Sequence, residues 1–459
     1  MNVLKRIKWL MFVVVSMFLV LVACTSGGNE DMEVSTQSPD TNEQPSNDAE
    51  ETTDEAESVP TPEPAEIVFY STNNDPVESF DYRFGDSLRK KFPHHTIEYM
   101  QAGDGKRLPE LVTAGIPFDI YFNSIGNFET NAFPYGIDYD MTDLIKQFDV
   151  DLDRFEPTVI DHVKRAYDGG MFALPVYTAN FVMYYNKDIF DMFGEEYLKD
   201  GMTWDEMVEV AGRLTRNVDG VQYFGYTHST THTLRLNPMS IPKADLASET
   251  PTINSDDRWR AFYDTYWHRP TNFEGYREHL QSTGIPGIND FVRDQTVGMF
   301  MYLSSLITVW EEEMMNVNFD WAALPTVEDG VGSQSYPFYF GITQMARNKE
   351  AAMEVLKYMT SDEFQAELAR KAINPVVLSE DVINQYGADS PHSDKNLAAA
   401  YYNEFAPIPE MAPYDSNLVN IYRSNMTLAI RGLTDDINTA FRTAEEEALQ
   451  MIREYKENN

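Results

Sequence analysis

Apolar residues from position 66 onward fall into short continuous runs separated by segments with helical spacing. Runs at 67–70, 96–100 and 118–122 predict buried strands, and the segments 80–92 and 108–114 between them predict amphipathic helices. Strands that alternate with helices at this spacing indicate parallel βαβ units. The sequence therefore predicts an α/β fold.

Polar residues follow the first and third of these strands. Asn73 and Asp75 come after the first strand, and Asn123 comes after the third. In parallel sheets, ligands bind beyond the carboxyl ends of the strands. These three residues are therefore candidate ligand-binding residues.

The apolar stretch 173–190 is interrupted by hydroxyl and amide side chains. Residues 181–185 predict a strand covered on both faces, whereas Pro175 cannot donate a hydrogen bond to a neighbouring strand. We therefore expect the chain to cross there from one layer of the fold to another. Tyr177 and Asn180 are polar residues at that crossing.

Helical signals continue in the second half of the chain. Thr203 and Glu206 form a capping-box pattern that starts a helix through position 214. Apolar residues at helical spacing predict further helices over 351–360 and 435–456, each with one buried face.

Composition and charge limit the class of protein. A chain of 459 residues with 42% hydrophobic residues is long enough for two lobes, each with its own core. The formal net charge is -39, so phosphate backbones would be repelled and nucleic acid is excluded as a partner. A solvated acidic surface is the ordinary explanation of such a charge.

The N-terminus has the pattern of an export signal. Basic residues precede an apolar segment at 9–22, and Ala23 stands before Cys24, the single cysteine. This resembles the lipobox of bacterial lipoproteins, which implies a signal peptide over 1–23 and a diacylglyceryl group on Cys24. An uncleaved anchor helix is the alternative. Residues 24–65 are predicted to be a disordered acidic tether, because they contain no Lys or Arg and little to bury.

Two residue clusters could suggest metal chemistry. His228 and His232 stand four apart, but the threonines around them favour a polar loop over a metal-binding helix. Asp149, Asp151 and Asp153 alternate as in a calcium loop, yet Arg154 replaces the turn glycine, which favours ordinary surface. No catalytic motif is present, so we predict no catalytic residues, no cofactor and no metal site.

Six stretches in series resemble the carbohydrate-type extracellular solute-binding proteins of bacterial ABC importers (family 1), the group that includes maltose-binding protein. The stretches are GMFALPV at 170–176, MYYNKDIF at 183–190, TWDEM at 203–207, FVRDQTVGM at 291–299, FDWAALPT at 319–326, and NKEAA at 348–352 with TSDE at 360–363. Two features depart from the family: LSSL at 303–306 replaces its glycine and tryptophan motif, and its lysine before that motif is absent.

The resemblance implies a two-lobe, type II periplasmic-binding-protein-like fold. Each lobe is expected to be a mostly parallel sheet flanked by helices, with the ligand cleft between the lobes. Lobe 1 is expected over 66–177 and 326–380, and lobe 2 over 178–325 and 381–459.

A sugar site needs flat aromatic side chains, here called plates, that pack against the faces of the sugar rings, and polar groups that bind the sugar hydroxyls. Given the resemblance, we predict that the plates are aromatic residues at or near the cleft, with core packing as the alternative for each. They are Tyr177, Tyr302, Trp310, Tyr336 and Tyr339. The predicted polar rim is Asn73, Asp75, Asn123, Asn180 and Ser304.

The resemblance implies a lipid-anchored, monomeric receptor on the extracellular face of the cell membrane. It would capture a sugar or oligosaccharide, close by a hinge motion, and deliver the ligand to the membrane permease of an ABC transporter. A binding protein for a peptide or polyamine remains an alternative, as does a surface glycosidase.

Overall fold

The computed structural model of the 459-residue chain describes residues 63–328 and 330–458. These residues belong to one compact unit. The predicted signal peptide, the lipid acceptor Cys24 and the predicted tether up to position 62 lie outside the described residues.

The strands are numbered in chain order. They are β1 (Glu66–Ser71), β2 (Thr96–Gln101), β3 (Ile120–Ser124), β4 (Leu174–Thr178), β5 (Phe181–Asn186), β6 (Arg216–Val218), β7 (Val221–His228), β8 (Ala244–Asp245), β9 (Thr250–Pro251), β10 (Val297–Leu303), β11 (Phe319–Ala323), β12 (Val331–Gln334), β13 (Phe338–Ile342), β14 (Asn374–Pro375) and β15 (Glu404–Ala406). The first three confirm the strands predicted from the apolar runs.

The α-helices are numbered in the same way. They are α1 (Val77–Phe80), α2 (Asp86–Lys91), α3 (Leu108–Ala114), α4 (Asn127–Ala132), α5 (Thr142–Gln147), α6 (Pro157–Ala166), α7 (Lys187–Phe193), α8 (Trp204–Leu214), α9 (Thr230–Arg235), α10 (Arg258–Tyr263), α11 (Tyr276–Ser282), α12 (Ile288–Val292), α13 (Leu306–Val309), α14 (Glu311–Met314), α15 (Lys349–Met359), α16 (Asp362–Arg370), α17 (Glu380–Ile383), α18 (Asp415–Ile430) and α19 (Ile437–Asn458). A π-helical segment, Asp81–Gly85, joins α1 to α2.

The six-stranded sheet, here called the first sheet, has the strand order β14-β4-β13-β3-β1-β2. β1 runs parallel to β2 and β3, as the βαβ pattern predicts. β13, which joins this sheet after the chain has passed through the second one, runs antiparallel to both β3 and β4.

The five-stranded sheet, here called the second sheet, has the order β11-β5-β10-β7-β6. β10 is parallel to β7, whereas β5 is antiparallel to β10 and β11. The α/β class with helix-flanked sheets is thus confirmed. Both sheets mix parallel and antiparallel pairs, which departs from the expectation of mostly parallel sheets.

The passage from the first sheet to the second lies at Ala179 and Asn180, between β4 and β5. A crossing in this stretch was predicted from the sequence. Ala179 and Tyr336 exchange two backbone hydrogen bonds, of 3.1 and 2.7 Å. Tyr336 lies just before β13, where the chain re-enters the first sheet. These bonds therefore connect the segment that leaves the first sheet to the segment that returns to it.

The capping box before α8 is confirmed. The Glu206 amide donates to Thr203 Oγ1 at 3.3 Å, and the Thr203 amide donates to Glu206 Oε2 at 2.8 Å. These bonds satisfy two amides at the start of the helix that have no partner within it.

The polar loop predicted around His228 and His232 is wrong. His228 is the last residue of β7, and His232 lies within α9. Helix formation is favoured here because Leu234 is fully buried and the Thr233 hydroxyl donates to the Ser229 carbonyl at 2.8 Å. Tertiary packing therefore outweighs the low helix propensity of threonine.

Within residues 63–328 and 330–458, no helix has both the length and the apolar character needed to cross a membrane.

Candidate ligand cleft

A cavity of about 370 Å³ opens between the loops of the two sheets. One wall comes from the segment after β1, from β4, from β13 and from the residues next to β14. The opposite wall is formed by Ser305, Thr308 and Val309, which follow β10 of the second sheet. The cavity thus lies between the first sheet and a segment that follows a strand of the second sheet, as a ligand cleft would.

Arg83 connects three parts of the first wall. Its Nη2 donates to Asp75 Oδ2 at 2.5 Å, its Nη1 donates to the Tyr177 hydroxyl at 3.2 Å, and its Nε donates to the Ser79 carbonyl at 3.1 Å. Arg83 lies in the π-helical segment, a type of helix irregularity that often occurs at functional sites.

The ionisation of the wall follows from these contacts. Burial lowers the pKa of Arg83, but the neighbouring Tyr177 and Asp75 outweigh that effect and the net pKa is raised. Burial also raises the pKa of Tyr177. Arg83 is therefore a permanent cation beside the Asp75 carboxylate, and Tyr177 is a neutral phenol.

Tyr177 is mostly covered by other aromatic rings. Only 6% of its surface is exposed, and its ring stacks on Phe338 with 4.2 Å between centroids and 11° between planes. The Phe84 ring lies 5.6 Å away on centroids. Tyr177 therefore lines the cavity but exposes little of its surface there. The neighbouring Phe338 ring also lines the cavity and is only half-buried.

Two exposed apolar side chains complete the cavity lining. Val309 is 72% exposed on the wall of the second sheet, and Tyr82 is 49% exposed on the opposite wall. The Lys371 ammonium lies 5.0 Å from the centroid of the Tyr82 ring. Both side chains are open to a ligand in the cavity.

Asn374 connects the cavity wall to a buried polar network. Its Oδ1 accepts hydrogen bonds from Ser304 Oγ at 3.0 Å and from the Tyr386 hydroxyl at 2.5 Å. Its Nδ2 donates to Asn180 Oδ1 at 2.8 Å, and Asn180 Nδ2 donates to the Ala400 carbonyl at 2.7 Å. The network joins β14 of the first sheet to residues that flank the second sheet.

Asn180 and Ser304, predicted as polar rim residues, thus hold the crossing together. Both are buried, and neither is among the residues that line the cavity. Their polar side-chain atoms are bonded within the protein. The structure thus places both side chains in the crossing and outside the cavity lining.

Asn123, also predicted for the rim, is fully buried at the end of β3. Its Nδ2 donates to Thr72 Oγ1 at 2.8 Å and to the Tyr121 hydroxyl at 3.0 Å. The Ser124 amide donates to its Oδ1 at 2.8 Å. Asn123 therefore orients Thr72 in the loop after β1 and does not line the cavity.

Tyr339 packs in the core and is not among the residues that line the cavity. It is completely buried, its hydroxyl donates to the Val159 carbonyl at 3.0 Å, and its ring stacks on His162. Strand alternation explains this placement. Neighbouring residues of β13 point to opposite faces of the sheet, and Phe338 is on the face that lines the cavity.

The other predicted aromatic residues lie outside the cavity lining. Tyr336 accepts from Arg235 Nη1 at 2.9 Å and donates to Ser124 Oγ at 3.0 Å. The half-buried Tyr302 contacts the His232 ring edge-on, at 5.5 Å between centroids. Trp310 lies beneath the Arg293 guanidinium, 5.2 Å from its central carbon.

Of the ten predicted ligand-binding residues, the cavity brings together Asn73, Asp75 and Tyr177. Tyr82, Arg83, Phe338 and Asn374 also line the cavity and were not predicted from the sequence. The sequence feature that could have indicated Tyr82 and Arg83 was their position in the helical segment that follows β1. Nothing comparable marked Asn374, because β14 is two residues long.

Charges on the cavity wall compensate each other. Among the described lining residues, Asp75 is the one carboxylate and Arg83 the one cationic group, and they form an ion pair. The remaining polar groups are hydroxyls and amides, including Asn73, Ser305 and Thr308. The cavity is suited to a neutral, hydroxyl-bearing ligand.

Solved structures with the same fold are substrate-binding proteins of transporters. A sugar transporter protein from Rhizobium etli, solved in an open conformation, is 18% identical with a TM-score of 0.65, over 83% of this chain and 98% of that one. An ABC substrate-binding protein from Listeria monocytogenes, solved in complex with cycloalternan, is 17% identical with a TM-score of 0.66, over 85% and 99%. At these identities the likeness shows the two-lobe fold.

A solute-binding protein from Thermotoga lettingae, solved with α-D-tagatose, has the same fold. It is 16% identical with a TM-score of 0.63, over 85% of this chain and all of that one. The family model described as bacterial extracellular solute-binding protein matches residues 71–366, which is more than half of the chain. The chain therefore belongs to the family of bacterial extracellular solute-binding proteins.

Proposed function

We propose that this protein is the substrate-binding component of a bacterial ABC importer and that it captures a carbohydrate in the cavity between its two sheets. The observation that carries the proposal is the cavity wall itself. Hydroxyls, amides and one charge-compensated carboxylate stand beside the apolar surfaces of Tyr82, Phe338 and Val309. The protein is then a binder that releases its ligand unchanged.

Sugars present both kinds of surface that this wall offers. Their hydroxyl groups form hydrogen bonds around the ring edge, and their C–H faces pack against aromatic rings, each such contact contributing about 0.5–1.5 kcal/mol beyond the buried area. Asp75 keeps one carboxylate oxygen outside its bond to Arg83, and a carboxylate is a strong acceptor for hydroxyl groups.

The same wall disfavours the alternative ligands. A polyamine requires carboxylates that are free to pair with its ammonium groups, but the single lining carboxylate already pairs with Arg83. A peptide with charged termini would leave at least one charge uncompensated in this cavity. A neutral sugar or oligosaccharide avoids both costs.

The structural neighbours support the choice of ligand class. Their bound molecules include cycloalternan, mannobiose, α-D-tagatose and maltose. These proteins share the fold at low identity, so their particular sugars do not transfer to this chain. We infer from them only the class of ligand, a carbohydrate.

The strand allocation supports a division into two discontinuous lobes. Lobe 1 comprises 66–177 and 326–380 and contains the first sheet, and lobe 2 comprises 178–325 and 381–459 and contains the second. Closure of these lobes about the crossings is the hinge motion known for periplasmic binding proteins. The Asn374 network lies at this hinge.

The N-terminal sequence supports a lipid-anchored location. We propose cleavage of the signal peptide after Ala23, lipidation of Cys24, and a tether through position 65 that holds the lobes at the extracellular face of the cell membrane. The membrane partner is the permease of the importer. The folded protein functions as a monomer.

A thermal-shift screen tests the ligand class directly. Ligand that binds only the native state raises the stability by RT ln(1 + [L]/Kd), about 2.7 kcal/mol at one hundred times Kd. We expect at least one neutral mono- or oligosaccharide to raise the Tm, with no hydrolysis product by chromatography. Stabilisation by polyamines or peptides alone would contradict the carbohydrate proposal, and product release would identify an enzyme.

A further inference from the structure

Two histidines and one glutamate form a cluster at the other end of the first sheet from the cavity. His94 and His95 lie in the turn between α2 and β2, and Glu354 lies on α15. The cavity is near the carboxyl end of β1, whereas His95 directly precedes the first residue of the parallel strand β2. The six residues of β2 place these ends roughly 20 Å apart.

The three side chains offer ligand atoms to one point. One nitrogen of each histidine and a carboxylate oxygen of Glu354 lie within 4.8 Å of one another. His95 Nε2 and Glu354 Oε2 are 3.4 Å apart, and the two imidazole centroids are 4.1 Å apart. Two ligands that bind one ion at about 2.1 Å with tetrahedral angles are about 3.4 Å from each other.

His94 supplies an independent observation. Its Nε2 is buried and has no hydrogen-bond partner among the described residues. A buried polar atom without a partner costs about 1–3 kcal/mol. A cation bound by this nitrogen would remove that cost.

We propose that His94, His95 and Glu354 bind a Zn²⁺ ion, which is a site separate from the ligand cavity. Two imidazoles and one carboxylate form a ligand set typical of zinc, whereas Ca²⁺ and Mg²⁺ prefer oxygen ligands alone. Three protein ligands leave the fourth tetrahedral position to water. The sequence does not predict this site, because the cluster joins residues about 260 positions apart and its chain spacing matches no metal motif.

The surroundings of the cluster give the ion a path from solvent. The His95 side chain is fully buried, but the Glu354 side chain is 33% exposed. Glu354 also lines a surface groove of about 320 Å³ next to Phe92 and Tyr358. The carboxylate would therefore meet the ion first, and the buried histidines would complete the site.

Zinc binding at His95 is coupled to the start of β1. The Ala65 amide donates to His95 Nδ1 at 3.1 Å, so the proton of the neutral ring is on Nε2. Binding Zn²⁺ at Nε2 moves that proton to Nδ1, where it would face the Ala65 N–H. The zinc form must therefore give up the Ala65 bond, and the chain near Ala65 must shift.

Zinc titration of the full chain, made without a histidine tag and stripped of metal, tests the site. Millimolar Mg²⁺ in the buffer saturates nonspecific cation binding to the acidic surface. Isothermal calorimetry then measures the affinity and the stoichiometry of specific Zn²⁺ binding. We expect one saturable site, a raised Tm, and the visible absorption of tetrahedral cobalt when Co²⁺ replaces Zn²⁺. Amide hydrogen exchange at Ala65 should change on loading.

Matched variants locate the site. Glu354→Gln and His94→Ala should each weaken Zn²⁺ binding at least tenfold, and circular dichroism of the metal-free proteins checks that they fold. His268→Gln is the control, because His268 is an exposed partner of Asp264 elsewhere on the surface. Absence of a saturable site, or unchanged affinity in both variants, would overturn the proposal. Sugar binding is measured separately and is unaffected by either result.

Discussion

The Tyr177 ring stacks on the Phe338 ring across two neighbouring strands, with 4.2 Å between their centroids. The pair forms the part of the cavity wall where the first sheet meets its crossing to the second. One face of the Tyr177 ring thus packs on Phe338, and the Tyr177 hydroxyl accepts a hydrogen bond from Arg83. The Phe338 ring is the better candidate for direct contact with a sugar.

Substitutions at the two rings should separate packing from ligand contact. Because Tyr177 is 6% exposed, Tyr177→Ala should lower the free energy of unfolding by about 3–5 kcal/mol. Tyr177→Phe keeps the stack and should lower it by about 1 kcal/mol. Phe338→Ala should weaken sugar binding about tenfold. Urea unfolding and calorimetry measure the two quantities, and unchanged sugar affinity in Phe338→Ala would remove that ring from the site.

Asn374 should control the stability of the crossing. Asn374→Ala leaves the Ser304 and Tyr386 hydroxyls and the Asn180 amide oxygen without this partner, and each buried group costs about 1–3 kcal/mol. We expect a loss of at least about 2 kcal/mol in urea unfolding. Asn316→Ala is the control, since its exposed amide donates to one helix carbonyl. Equal effects of the two substitutions would contradict a structural role for the network.

Two buried histidines predict a loss of stability in acid. Burial lowers the pKa of His228 to about 3; burial and then Arg235 lower that of His232 to about 4. The unfolded chain binds these protons near pH 6.5, so folding stability falls as the pH drops below that value. Each group should contribute about 1.6 kcal/mol of loss between pH 6.5 and pH 5.

The variant His228→Phe tests this assignment. It should reduce the slope of unfolding free energy against pH between pH 6 and 5 by about 1.2 kcal/mol per pH unit. His268→Gln, an exposed histidine, serves as the comparison. An unchanged slope in His228→Phe would show that other groups cause the acid sensitivity.

Much of the fold could be predicted from the sequence because local signals act within single elements. The Thr203 capping box and the apolar run of β1 depend on neighbours in the chain. The cavity depends on register and on contacts between distant segments. A shift of one residue in β13 exchanges Phe338 for Tyr339 at the cavity, and no sequence pattern fixes that register.

Polar residues were harder to assign than apolar ones. Asn123, Asn180 and Ser304 have the chemistry of a sugar site, but the structure bonds each of them inside the protein. Arg83 was missed because the sequence pattern predicted one regular helix over 80–92. The π-helical segment changes which side chains face the cavity.

Cys24 is the residue on which membrane attachment should depend. It is the single cysteine of the chain and follows Ala23 at the end of the apolar segment. Cys24→Ala should leave the protein unprocessed or released into the medium, with an unchanged melting temperature of the folded part. Cell fractionation and mass spectrometry of the N-terminus measure this. A processed, membrane-retained variant would contradict lipidation at Cys24.

Blocking the cavity tests the central claim most directly. Val309 is 72% exposed on the cavity wall, so Val309→Arg should fill the cavity without changing the Tm of the ligand-free protein. The measurement is the Tm of the wild type and of this variant across a library of neutral sugars. We predict that at least one sugar stabilises the wild type and that the same sugar leaves the variant unshifted. Equal stabilisation of both proteins, or no stabilisation of the wild type by any sugar, would contradict carbohydrate binding in this cavity.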